Sequence, residues 1–312
     1  MSGWRAAIVA AAVGGIILLV GWLVSRDGGG SNDPIGTTAA SPAAEGTLLV
    51  CPLALKTACR DLAERLGVDF TSFTGAIPEG DAVVIAPAGD LPEGLTAGPV
   101  VARSPISLMV WRERASLLRA GCGTVDLDCL ESAYGRTWDD LGGDIAWGDF
   151  KLGLADPTLS APGLAAWALV AGDGVPTDLA DSLRLRSQDD GHLMEEIAQF
   201  GDSRADAAVT TEAAIASQLV NVQGRGGRFE VFYPNPTPWV DYVAATTTDR
   251  AERLVQLLLE EEIQAMLGPL GLRPAAGDAP GLLEGLGIPG TPEAAVGDAE
   301  EAVLITAWND LR

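Results

Sequence analysis

Histidine is nearly missing from this chain. His192 is the only one in 312 residues, which excludes metal centres that need two or three imidazoles and chemistry built on paired imidazoles, and leaves carboxylates as the remaining candidates for hard cations. Positive charge is scarce as well. Against 20 Lys and Arg stand 43 Asp and Glu, a formal charge of −23, and no Lys/Arg-rich stripe offers a footprint for phosphate backbones, so DNA and RNA are excluded as partners. No segment repeats with a period of roughly 20 to 50 residues, which argues against a solenoid. What the chain has in quantity is apolar residues, 47% of the total, enough for a packed core and too many for a disordered chain.

Enzyme signatures are weak. Gly201-Asp202-Ser203 resembles the start of a nucleophile block, but it lies in a charged loop late in the chain, and His192 sits in the polar turn QDDGH. Asp139-Asp140 and Glu260-Glu261-Glu262 read as solvated turn and helix faces, with no converging set of oxygens for calcium. No catalytic residues, metal or cofactor are expected.

The apolar residues concentrate first at residues 6–24 (AAIVAAAVGGIILLVGWLV), an uncharged run that would span about 28 Å as a helix. Residues 1–25 are therefore predicted to be an uncleaved transmembrane anchor, the alternative being a cleaved secretory signal, whose usual shorter apolar centre and small-x-small site are not matched here. Residues 26–45, rich in Gly, Ser, Thr and Pro without apolar periodicity, are predicted to be a flexible linker. Cys51, Cys59, Cys122 and Cys129 all follow the anchor, as expected of a body exported to an oxidising compartment outside the cell. Cys122 and Cys129 flank a Gly/Asp turn and are predicted to pair. Were the whole interval from Cys51 to Cys59 helical, those two would stand about 12 Å apart, beyond disulfide reach, so their pairing stays open.

Beyond residue 45, short apolar runs alternate with helical patterns, the mark of an α/β protein. Strands are predicted at Leu48-Leu49-Val50, at residues 81–87, along residues 99–111 with an interruption at Ser104-Pro105, and at residues 149–155, 206–210 and 228–233. Helices are predicted at residues 53–66, 163–170, 212–220, 249–267 and 298–311.

Four segments have the chemistry of binding turns. In LGLADPTLSAPGLAA (residues 152–166) a strand runs into Asp-Pro, hydroxyl residues and a helix start, where Thr158, Ser160 and free N–H groups up to Gly163 can hold a ligand. Ser104 precedes a proline and projects from an extended strand. Thr210 and Thr211 close a strand before a helix. Tyr233 opens YPNPTPWVDY, a rigid aromatic loop of the kind that walls pockets.

The order of these segments, together with Cys51-Pro52-Leu53 after the first strand, WDDL at residues 138–141, and the closing AERLVQLLLEEEIQAMLGPLGLRPA, resembles bacterial extracellular solute-binding proteins of the periplasmic-binding type 2 fold. The similarity is nearest to the molybdate-binding-like branch, and within it to the solute-binding half of actinobacterial von Willebrand factor A fusion proteins. The resemblance implies a two-lobed solute-binding domain over residues 46–275. Lobe 1 would comprise about residues 46–103 and 235–275, lobe 2 about residues 104–234, and residues 276–312 would form an extension with a terminal helix. It also implies a small ligand between the lobes, touched by Cys51, Pro52, Ser104, Thr158, Ser160, Gly163, Thr210, Thr211 and Tyr233, and captured by hinge closure. The first turn carries Cys51-Pro52-Leu53 where anion binders of this family present hydroxyls, and no basic side chain clearly enters the cleft, which weighs against an oxyanion. The expected function is solute capture at the outer face of the cell membrane for an ABC-type importer. Because a helix and not a lipoprotein cysteine would be the tether, the alternative is a non-transporting adaptor or sensor ectodomain that recognises a protein or cell-envelope component.

Overall fold

The computed structural model describes residues 46–73, 76–172, 174–224, 227–235, 237–276, 281–285 and 301–311. The anchor and linker expected over residues 1–25 and 26–45 lie outside the described residues, and among the described residues no helix is long and apolar enough to cross a membrane.

Among the described residues ten strands form the framework: β1 Leu48–Cys51, β2 Asp69–Ser72, β3 Ala82–Pro87, β4 Val100–Trp111, β5 Leu152–Ala155, β6 Leu183–Ser187, β7 Ala207–Thr211, β8 Phe229–Phe232, β9 Trp239–Thr246 and β10 Arg273–Pro274. Their order is β2-β1-β3-β9-β4-β7-β5-β6, with β8 and β10 also on β4. β4 therefore serves two half-sheets. Its first part, Val100 to Pro105, pairs with β9, and Ile106 to Val110 pair with β7. Ser104-Pro105 does not interrupt the strand, because the next free amide, Ile106 N, donates to Pro238 O at 2.8 Å; the register shift falls earlier, between Val100 and Ala102. The chain crosses between the halves a second time from β8 to β9, through the proline-rich residues that follow Phe232.

Each half follows from its patterning. β1, β3, β5 and β7 are buried along almost their whole length, as continuous apolar strands covered on both faces should be, and β1/β3 and β5/β6 are parallel with helical crossovers. Helix Lys56–Leu66 lays Cys59, Leu62 and Leu66 on the first half, with Gly67 in the left-handed conformation ending it. The single helix expected over residues 249–267 is instead a 3-10 turn Asp249–Ala251 running into helix Glu252–Leu258, and then a separate helix Glu261–Met266, the break falling where Glu260 takes an extended ψ of 141°.

Both cysteine pairs are bridged: Cys122–Cys129 with Cα atoms 5.8 Å apart, and Cys51–Cys59 at 6.5 Å. The helical spacing that kept the second pair apart does not apply. Cys51 ends a strand, a 3-10 turn Leu53–Leu55 follows, and only Lys56 onward is α-helical.

The terminal helix is Glu301–Asp310, and it docks on helix Ala161–Ala171. Trp308 is fully buried, edge-on to Trp167 at 5.2 Å, while Trp167 Nε1 donates to Leu304 O at 2.7 Å and the Arg186 guanidinium covers the Trp308 ring.

Candidate functional site

In open α/β sheets ligands lie beyond the carboxyl ends of the strands, where connections diverge. In this chain those ends converge. Pro52 follows β1, Pro87 ends β3 and Asp90 follows it, Thr158 and Ser160 follow β5, Asp189 and Asp190 follow β6, and Tyr242 comes from β9; together they line one cavity of about 400 Å³. Both half-sheets contribute walls. A larger cavity of about 700 Å³ lies around Trp111, Arg114 and Phe200, and its lining comes from the second half alone, away from those strand ends.

The cavity is acidic. Asp90, Asp189, Asp190 and Glu301 line it, and no Lys, Arg or His does so among the described residues. Asp90 Oδ1 accepts from Ala161 N at 2.6 Å, so a carboxylate of the first half already holds the helix start of the second. Asp189 caps the helix Asp190–Phe200 through His192 N at 2.8 Å and meets His192 Nδ1 at 2.7 Å. Asp190, only 4% exposed, takes the Thr211 hydroxyl at 2.5 Å. Burial raises Asp90 to about 6, with the Ala161 N–H pulling it down and Asp189 pushing it up. Burial likewise raises Asp190 to about 7, relieved in part by Thr211 and reinforced by Asp189 and Asp90. Tyr242 is held far above its usual range by burial and by Asp190.

The residues singled out from sequence divide into three groups. Pro52, Thr158 and Ser160 line the cavity. Thr158 binds Asp156 through both N and Oγ1, and Ser160 Oγ accepts from Gly163 N at 3.2 Å as an N-cap. Gly163 is buried and crowded, since a Cβ there would stand 3.0 Å from Asp156 O. Ser104 and Thr211 are brought together at one helix start, where Ser104 Oγ accepts from Ala213 N at 3.0 Å and Thr211 Oγ1 from Ala214 N at 3.2 Å. Tyr233 is close by, beside the buried pair Glu212–Arg273 at 2.8 Å, with its hydroxyl raised by burial and Glu212. Cys51 and Thr210 are buried without lining the cavity. Asp90, Asp189, Asp190 and Tyr242 were missed as site residues. For Asp90 the signal was its place just after the apolar strand β3; Asp189 and Asp190 follow β6, whose alternating Leu-Arg-Leu-Arg carries no apolar run.

Below the cavity the halves touch directly. A Cβ on Gly191 would meet Ala54 N at 2.5 Å, so only glycine allows the first turn of Asp190–Phe200 to rest on Leu53–Leu55, and Ala54 belongs to the same apolar cluster as Leu193, Met194 and Ile197.

A half-sheet pair spanned twice by the chain, with strand ends facing one shared cavity, is a mixed α/β architecture that can hold a ligand between its halves. The family is shown by sequence: the model of the bacterial extracellular solute-binding protein family matches residues 78–273, and the chain belongs to that family. Among curated proteins none matches. Solved structures similar to the chain include the ferric binding protein from Campylobacter jejuni, at TM-score 0.48 and 11% identity over 85% of this chain and 96% of that one. The sulfate-binding protein SubI from Mycobacterium tuberculosis aligns at TM-score 0.47 and 12% identity over 84% and 96%. The apo ferric ion-binding protein A of Pasteurella haemolytica aligns at 0.47 and 11% over 85% and 95%.

Proposed function

We propose that this protein captures a small solute between two lobes outside the cell and presents it to an ABC-type permease, acting by binding and not by catalysis. Within the family it stands nearest the molybdate-binding-like branch and the solute-binding half of von Willebrand factor A fusion proteins. The observation that carries the reading is the cavity of about 400 Å³ whose walls come from both half-sheets at the carboxyl ends of their strands. That volume suits a small ligand. The lobes would divide near Ser104 on β4 and in the residues between β8 and β9, the two places where the chain passes from one half to the other, and closure would be a rotation about those crossings. Residues 1–25 would tether the body to the membrane and residues 26–45 would give it reach.

The test is thermal unfolding of the full chain in detergent against a panel of oxyanions, amino acids, amines and sugars. A solute that binds should raise Tm in a dose-dependent way, since one present at a hundred times its Kd adds about 2.7 kcal/mol. Silence across every class would overturn solute capture and leave the adaptor or sensor ectodomain as the reading.

A further inference from the structure

Resting on the solute-capture reading, we infer that the cavity takes an organic cation, a compact molecule carrying a primary ammonium or guanidinium group. The first reason is the lining. Asp90 from one half and Asp189 and Asp190 from the other face the same cavity, with Glu301 at its edge and no basic residue on any wall among the described residues. The second is independent of charge. Tyr242 is fully buried and lines the same cavity, and its hydroxyl, although it faces Thr211, completes no hydrogen bond. A phenol both donates and accepts; with Asp190, Asp90 and Asp189 around it the O–H has acceptors to turn to, which leaves its lone pairs for an incoming N–H, and the donors that also satisfy neighbouring carboxylates are ammonium and guanidinium. Phe73 adds an aromatic wall of the sort that favours such cations.

Two alternatives fit less well. An oxyanion would look for the helix start at Ala161, but Asp90 already takes that N–H at 2.6 Å, and the entering anion would have to displace one carboxylate while facing two more. A bare metal ion needs several oxygens converged at once, and among the described residues no group of three or more His, Cys, Asp or Glu is close enough to hold one. A cation whose charge is spread over a molecule can instead reach carboxylates on both walls, which also supplies a reason for closure.

The groups facing Asp190 are Asp90, Asp189 with its partner His192, Thr211 and Tyr242. Since the aspartates bind a cation only when ionised, affinity should fall as pH is lowered from 8 to 5.

The experiment is calorimetric titration of the full chain with putrescine, agmatine and L-arginine, and with sulfate, molybdate, glucose and calcium chloride as counter-probes. At pH 8 and moderate salt, at least one of the three cations should bind. Asp190→Asn and Asp90→Asn should each weaken it at least tenfold, whereas Glu261→Gln on an exposed helix should leave it unchanged. Binding by an anion, a sugar or calcium alone would overturn the cation assignment and leave solute capture standing. Cation binding equally weakened by Glu261→Gln, or indifferent to both aspartate variants, would mark it as attraction to net charge and overturn the site. No binding by any of the three cations would overturn the cation assignment, and solute capture would fall with it only if the wider thermal panel were silent as well. Asparagine keeps an acceptor for Thr211 and for Ala161 N–H, so both variants should fold, which their melting curves will show.

Discussion

Buried carboxylates occur in two settings in this chain. Glu212 and Asp206 are completely buried, and each is met by cations: Glu212 by Arg273 at 2.8 Å, Asp206 by Arg114 at 3.3 Å and Lys151 at 4.0 Å. Asp190 is nearly as buried, yet its partners are a threonine hydroxyl and other carboxylates. The first setting is what a stable interior requires, because a charge removed from water needs a compensating charge and hydrogen bonds. The second leaves a buried carboxylate without a cation, which costs stability whenever it is ionised. The difference separates carboxylates that hold the fold from carboxylates that are arranged for something else, and it can be broken by mutation.

The largest effect should come from the paired setting. Arg273→Ala removes the guanidinium that meets buried Glu212 beside Tyr233, and should cost about 3–5 kcal/mol in urea unfolding at pH 7. The double variant Glu212→Gln with Arg273→Met should recover most of that loss. A single variant as stable as the parent would mean that the pair contributes little and that the two kinds of buried carboxylate do not differ in what they do for the fold.

The unpaired setting should respond with the opposite sign. Asp190 holds its proton up to about pH 7 in the folded chain and from 3.8 in the unfolded one, so its contribution to stability is fully present below pH 3.8 and is lost as pH rises through 7. Asp190→Asn removes that loss. Stability should rise by about 2–4 kcal/mol at pH 8 and hardly at all at pH 4, read from unfolding midpoints at the two pH values. A variant less stable than the parent at pH 8 would show that Asp190 is a structural carboxylate after all.

How much of this was legible in the sequence depends on whether local pattern or distant contact decides the feature. The buried strands at residues 48–51, 82–87 and 207–211 announce themselves as apolar runs, and the crossings β4 and β8–β9 as long extended segments. The closing segment, the most specific part of the family resemblance, is structural: Gln264 Nε2 donates to Val101 O at 2.9 Å and its Oε1 accepts from Ala275 N at 2.8 Å, fastening β10 to the crossing strand. The Cys51–Cys59 bridge was hidden because the helix start could not be placed to the residue, and three residues of 3-10 turn change the distance. Asp90 and Asp190 were hidden for a deeper reason. An aspartate after a strand is an ordinary cap, and only the folding of two halves onto one cavity tells which caps face each other. Hydroxyl residues at strand ends drew attention to Ser104 and Thr211, which satisfy helix N–H groups instead of lining the cavity.

Ser160 sharpens the comparison at its finest grain, because one side chain does a structural task and also faces the acidic cavity: its hydroxyl caps a helix and it lines the wall beside the aspartates. As a cap alone, Ser160→Ala should cost about 1 kcal/mol, with no dependence on pH, since nothing at that position titrates. As a contact, it should also lower the affinity for whichever probe binds, by more than the fold is weakened. Measuring unfolding at pH 4 and 8 alongside titration separates the two. A stability loss that changes with pH would mean that removing the hydroxyl has shifted Asp90, whose carboxylate sits one residue away on Ala161 N, and would tie the helix start to the aspartates as one electrostatic unit.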